Sequence, residues 1–464
     1  MPLLHDDRLF PADPTTRSIA QRLFATMRDL PIVSPHGHTN AGWFATNEPF
    51  PDPAKLFIQP DHYVHRMLYS QGVKLEDLEI GKDVIENPRK VWKIFADHYY
   101  LFRGTPSRLW LDYAFQNQFG LTERLNSKNA DLYYDTIAEK LQTPEFRPRA
   151  LFESFKIDVL ATTDSAIDPL TDIQTLRAGD WKGRIVPTFR PDSVVDPAFA
   201  GFRENLAKLG EITGENTETW EGYLAALRNR RAFFKSLGAT ATDHGHPTAR
   251  TADLDPIECA QLFDVILSGE ADEDDEEVFR AQMLTEMARM SVEDGLVMQI
   301  HPGSFRNHNE VLFQKFGRDM GADIPTATDY VHALKPLLDL FGNEPNLTVI
   351  LFTLDETVFS RELAPLAGHY PALRLGPPWW FHDSPEGMMR FRETATETAG
   401  FYNTVGFNDD TRAFLSIPAR HDVARRIDCT FLARLVAEHR IEEDEAFELA
   451  QDLTANLVKK AYRL

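Results

Sequence analysis

Apolar and polar positions alternate on two scales along this chain. Short runs rich in Val, Ile, Leu and Phe are separated by longer stretches in which apolar residues recur with helical spacing. The first pattern predicts buried strands and the second predicts amphipathic helices. Strands are expected at residues 29–35, 157–163, 184–189, 236–242, 295–300, 347–353, 372–376 and 403–407. Continuous apolar strands alternating with helices belong to a parallel sheet covered on both faces. Eight such units favour an α/β fold of the (β/α)8 TIM-like barrel type over an open sheet. No glycine-rich fingerprint follows the first strand, which argues against a dinucleotide-binding Rossmann domain.

The units are unevenly spaced. Far more than one helix separates the first strand from the second, and helical patterns fall at 60–71, 87–102 and 130–141. A helical insertion at about 40–150 is therefore expected within a single barrel domain spanning 1–464. Further helices are expected at 197–209, 219–237, 278–292 and 441–462. The acidic run from Glu270 to Glu277 precedes one of them, and acidic residues favour the positive end of a helix dipole. It is expected to be a solvated helix start rather than an interaction tail. No internal repeat or low-complexity linker interrupts the chain.

Composition narrows the function classes. The chain has 464 residues, 43% of them hydrophobic, with 32 Phe, so it buries a large core and is not disordered. The net charge of −22 argues against nucleic acid or an anionic membrane as partner, since both attract basic surfaces. Two distant cysteines, Cys259 and Cys429, do not make a disulfide framework and are expected as buried thiols. The N-terminus lacks a basic segment followed by an apolar one, and no window approaches 18 uninterrupted apolar residues. A soluble cytoplasmic protein is expected.

In a parallel barrel the C-terminal ends of the strands, with their loops, form the active-site face. The first expected strand ends in His36-Gly37-His38, and residues i and i+2 of an extended chain point to the same side, where both can reach one metal. The motif recurs at His244-Gly245-His246, so alone it is weak. Other strand ends carry Phe189-Arg190-Pro191-Asp192, Asp243, His301 with Arg306, Trp379-Trp380-Phe381, and Asp409-Asp410-Thr411-Arg412. Arg190, Arg306 and Arg412 suggest an anionic small molecule, because arginine pairs bidentately with carboxylates. Trp379 and Trp380 are either core aromatics or rings that stack on a sugar and exclude water. The sixth strand ends in Thr353-Leu354-Asp355-Glu356 without a histidine, and no lysine ends the fourth, which departs from a two-metal hydrolytic barrel.

Jointly these segments, with Asp61-His62-Tyr63 and its trailing Arg66, and the run from Asp410 to Ser416, resemble the uronate isomerase (glucuronate isomerase) family, an atypical branch of the amidohydrolase superfamily. The resemblance runs over nearly the whole length. It implies aldose–ketose isomerisation of D-glucuronate to D-fructuronate and D-galacturonate to D-tagaturonate through an enediol, in hexuronate catabolism. It implies one divalent metal, usually zinc, with His36, His38 and Asp410 as ligands and His301 near the metal as a further candidate. Asp410 is then base or metal-linked proton shuttle, Tyr63 polarises or protonates the sugar oxygen, and Arg412 stabilises the enediolate. Arg190 or Arg306 holds the C6 carboxylate, with His301, His62, Trp379 and Trp380 also lining the substrate. The expected partners are a hexuronate and further copies of the chain. The competing readings are a metal-dependent hydrolase of the same superfamily and a non-catalytic sugar-acid binding protein.

Overall fold

The computed structural model describes residues 2–82 and 85–464. Its centre is a ring of parallel strands. β1 (Ile32–Ser34) pairs with β2 (Ile157–Ala161), which pairs with β3 (Ile185–Val186). Both resume after a short break, at Asp164–Ser165 and Phe189–Arg190, and pair again there. Parallel pairing continues through β4 (Ala241–His244), β5 (Val297–Ile300), β6 (Val349–Leu351) and β7 (Leu373–Leu375). A parallel bridge from Leu375 to Thr404 adds the eighth position. The fold is a (β/α)8 barrel with a helical insertion after β1, as the alternating pattern predicts.

The pleat decides which side chains fill the barrel. Val33, Val159, Val186, Ala241, Val297, Ile350 and Val405 come from different strands and form one buried cluster. Helix Leu457–Tyr462 closes the floor of this cluster with Val458, Ala461 and a fully buried Tyr462. Arg463 fastens that closure by donating to the carbonyls of Gly295 and Asn346, which precede β5 and β6. The floor therefore lies at the N-terminal ends of the strands and leaves the opposite mouth for chemistry.

The insertion contains helices Pro53–Phe57, His62–Tyr69, Pro88–Asp97, Pro106–Tyr113 and Ala130–Leu141. Proline opens three of them, where its missing N–H costs nothing. Their shared interior is aromatic, with Trp92, Phe95, Tyr99, Phe102 and Phe115 fully buried. The acidic run behaves as expected. Asp272 caps helix Glu273–Asp294 in a reciprocal capping box, and the first turn holds Glu273, Asp274, Asp275 and Glu276.

Several boundaries differ from the sequence pattern. The fourth strand starts at Ala241, not 236, because helix Trp220–Ser236 runs on and Gly238, at φ +93°, turns the chain first. The expected strand at 403–407 keeps one bridge. The expected helix at 441–462 runs from Glu443 to Tyr462 with a π-turn at Asp452–Asn456 inside it. Cys259 and Cys429 are buried free thiols. Among the described residues no helix is long and apolar enough to cross a membrane.

Candidate functional site

The strand ends deliver their side chains to one cavity of about 590 Å3 at the barrel mouth. His36 and His38 leave β1 on an extended segment that the His38 N–H ties to the Thr411 carbonyl at 3.0 Å. This stitch brings the β1 loop against the loop that carries Asp410. Asp410 has φ +35°, a left-handed conformation that aspartate tolerates better than most residues. Its Oδ1 lies 3.4 Å from His36 Nε2 and 3.1 Å from His38 Nε2. His301, at the end of β5, stacks on His36 with ring centroids 4.7 Å apart and on Phe352 at 3.9 Å.

Among the described residues, His36, His301 and Asp410 form a group that can hold a metal ion, their donor atoms lying within 4.8 Å of one another. His301 Nε2 is buried without a hydrogen-bond partner, which fits a nitrogen that would bind a metal. His301 Nδ1 is engaged by Asp243 at 2.6 Å, an orienting contact typical of ligating histidines. His38 reaches the same Asp410 oxygen but lies outside this tight group.

The charges around the group are strongly coupled. Burial opposes ionisation of Asp410, yet His36 and His38 hold its carboxyl well below the usual range. Burial likewise opposes the Asp243 charge, and Arg190 and His301 overcome it. For His36 burial works against the proton, but Asp410 and Asp243 outweigh it and raise the imidazole above its ordinary value. For His301 burial wins, and the ring is held below its ordinary value.

Arg190 occupies the wall behind Asp243. Its Nε donates to Asp192 at 2.7 Å and its Nη1 lies 3.3 Å from Asp243. A Cβ at position 245 would meet Arg190 Nη2 at 2.2 Å. Glycine in the second His-x-His segment thus lets the guanidinium pass. Among the described residues that segment joins no metal-holding group: His244 bonds to Thr242 Oγ1 at 3.0 Å, and His246 lines the cavity without belonging to the His36 group.

The outer wall holds the remaining candidates. Arg306 pairs with Asp323 at 2.9 Å and lies over Trp380 at 5.2 Å. Arg412 pairs with Asp319 at 2.9 Å and remains about two-fifths exposed. His62 packs on Trp380, and burial, reinforced by Arg412, lowers it to about 3, so it is neutral. Tyr63 donates to the Trp380 carbonyl at 3.3 Å. Its helix is fixed by Asp61, which accepts from the N–H groups of Tyr63 and Val64. Trp379 is buried edge-on against His301, whereas Trp380 is only partly buried.

Sequence reasoning missed Arg420 and Asp383. Both are buried and paired with each other, and Arg420 lines the same cavity. Neither ends a strand, so the rule that found the other residues does not reach them. It also left out Asp319 and Asp323, whose partners Arg412 and Arg306 it did select.

Comparison with known proteins agrees with this arrangement. The profile of a family described as glucuronate isomerase matches residues 13–462. A uronate isomerase of Rhizorhabdus wittichii is 65% identical over 461 residues, covering 99% of this chain and 98% of that protein. The crystal structure of glucuronate isomerase from Caulobacter crescentus superposes with a TM-score of 0.98 at 58% identity, covering 100% of this chain and 98% of that one. The uronate isomerase structure from Thermotoga maritima gives a TM-score of 0.93 at 28% identity, with 99% of each chain covered.

Proposed function

The chain belongs to the glucuronate isomerase family, and on that premise we infer that the cavity at its barrel mouth interconverts D-glucuronate and D-fructuronate. The same chemistry takes D-galacturonate to D-tagaturonate. The observation that carries the reading is the convergence of Asp410, Tyr63 and Arg412 with His36 and His301 around one cavity.

Moving a carbonyl from C1 to C2 removes a proton from C2 and returns one to C1 through an enediol. Asp410 is the carboxylate that takes and returns this proton. Its depressed pKa makes it a weak base, so acidification of C2 depends on the groups that polarise the sugar oxygens. Tyr63 donates to the oxygen that gains charge, and Arg412 faces the enediolate. Arg190 and Arg306 offer guanidinium donors for the C6 carboxylate. His62, neutral by burial, and Trp380 border the ring.

A divalent cation held by His36, His301 and Asp410, with His38 beside them, would supply Lewis acidity toward the substrate oxygens, and the nitrogen and oxygen donors suit zinc. Residues 1–464 are read as one domain, with the segment at about 40–150 as its insertion. One buried cluster supports this by joining Trp92 and Phe115 of the insertion to Ile157, Phe189 and Leu351 of the strands. The chain is read as cytoplasmic and as a homo-oligomer; the second reading is supported by the exposed Phe305 and Ile324, which pair across a two-stranded ribbon and leave apolar surface uncovered.

The test is NMR of glucuronate with the enzyme in D2O. Ketose formation with deuterium exchange at C2 is the expected result. Binding without exchange returns the protein to the class of sugar-acid binders, and a gain of water points to hydrolysis.

A further inference from the structure

We propose that Arg420 is a positioning residue for the isomerisation, acting through Tyr63; the inference rests on the reading of Tyr63 as the group that donates to the sugar oxygen. Arg420 lies on helix Ile417–Ala437, just past the loop bearing Asp410 and Arg412. It is 2% exposed, yet it forms part of the cavity wall. Its guanidinium carbon lies 3.6 Å from the centroid of the Trp110 ring and 5.6 Å from that of Tyr63. Trp110 in turn meets Tyr63 edge-on at 5.7 Å. The cation is thus pressed onto one ring and flanks the other.

Two further contacts fix it, and a third bond carries on from one of them. Asp383 accepts from Arg420 Nη1, and Arg420 Nε donates to Ser416 Oγ at 3.2 Å. Ser416 Oγ shares a hydrogen bond of 3.2 Å with Thr411 Oγ1, and Thr411 stands between Asp410 and Arg412. One side chain therefore links the wall that holds the phenol to the loop that holds the base.

The charged groups that face Tyr63 are Arg420, Asp383, Asp410 and Asp61, with Arg66 at 5.9 Å from its ring and neutral His62 at its side. Asp61 is committed to capping the Tyr63 helix. Burial makes the phenol a weaker acid, and Arg420 does most to oppose that. A group that yields and regains a proton in each turnover needs its charged form within reach. A guanidinium supplies this without titrating itself.

The experiment is a double-mutant cycle on the metal-loaded enzyme with glucuronate. Arg420→Gln is expected to lower kcat about 10–100-fold, with KM nearly unchanged, and to move the basic limb of the kcat–pH profile upward. Arg420→Lys restores part of kcat. In a Tyr63→Phe background Arg420→Gln has little further effect. Additive losses in the double variant, or a change confined to KM, overturn the proposal. A Tyr63→Phe enzyme with unchanged kcat overturns the reading of Tyr63 itself, and this inference with it. If Arg420→Gln does not fold, Asp383→Asn serves instead. Its amide oxygen still accepts from Arg420 while the counter-charge is gone, so the basic limb moves downward. An unmoved limb, or one that moves upward, overturns the proposal.

Discussion

His301 Nδ1 and Asp243 Oδ1 are joined by a 2.6 Å hydrogen bond between two buried side chains. Burial disfavours the Asp243 charge, but Arg190 and His301 keep it ionised, so the carboxylate accepts and the ring donates. The tautomer that follows leaves a lone pair on His301 Nε2, the form needed to bind a cation.

Replacing Asp243 with Asn tests that relationship. An amide can donate to Nδ1 and so place the proton on Nε2. Metal retention after dialysis against a weak chelator is expected to fall about 10–100-fold. Unchanged metal content would show that the tautomer is set elsewhere.

Asp410→Asn is expected to lower kcat by about 10²–10⁴-fold and to abolish deuterium entry at C2. Metal content must be measured alongside, since Asp410 belongs to the metal-holding group. A variant that keeps its metal and still exchanges C2 would remove Asp410 from the proton-transfer role.

Stripping the metal with a chelator is expected to abolish turnover, and adding the cation back restores it. A stripped enzyme with retained kcat and raised KM would confine the metal to holding the substrate.

Asp383 makes stability fall as pH rises. Burial pushes its carboxyl up to about 7 in spite of Arg420 beside it. Between its ordinary value of 3.8 and about 7 the folded protein binds a proton that the unfolded chain has released. The contribution is therefore complete below the lower value and is lost as pH climbs through about 7. Denaturant midpoints across this window are expected to decline less steeply for Asp383→Asn than for the wild type.

Tyr462 plugs the barrel floor while its hydroxyl is buried without a partner. Tyr462→Phe is expected to be neutral or stabilising, because it removes an unsatisfied polar atom. Tyr462→Ala should cost about 3–5 kcal/mol through the cavity it leaves. Equilibrium unfolding in urea separates the two, and a destabilised Tyr462→Phe would reveal a hydrogen bond to that hydroxyl.

Much of this architecture was legible in the chain. Valine-rich runs identified the strands because a buried parallel strand needs apolar residues on both faces. The strand-end rule then found His36, His301, Arg190 and Asp410 without any structure. It did not reach Arg420 and Asp383, which come from the first turn of a helix and from a loop, where no hydrophobic period singles out a polar side chain. It did not tell the two His-x-His segments apart either. His36 and His244 both belong to such a segment at a strand end, and the difference lies in what each ring meets.

The sequence by itself determined the barrel, the insertion and the kinds of side chain at the mouth, because hydrophobic period and strand order are local properties of the chain. Tertiary structure alone decided which of those side chains meet. His36, His301 and Asp410 stand far apart in sequence, and their donor atoms come within 4.8 Å only because the barrel strands all end at one face. Likewise, the pairing of Arg412 with Asp319 and of Arg420 with Asp383 depends on where loops and helices dock. Electrostatics at such distances depends on burial and separation, and neither is encoded at any single position.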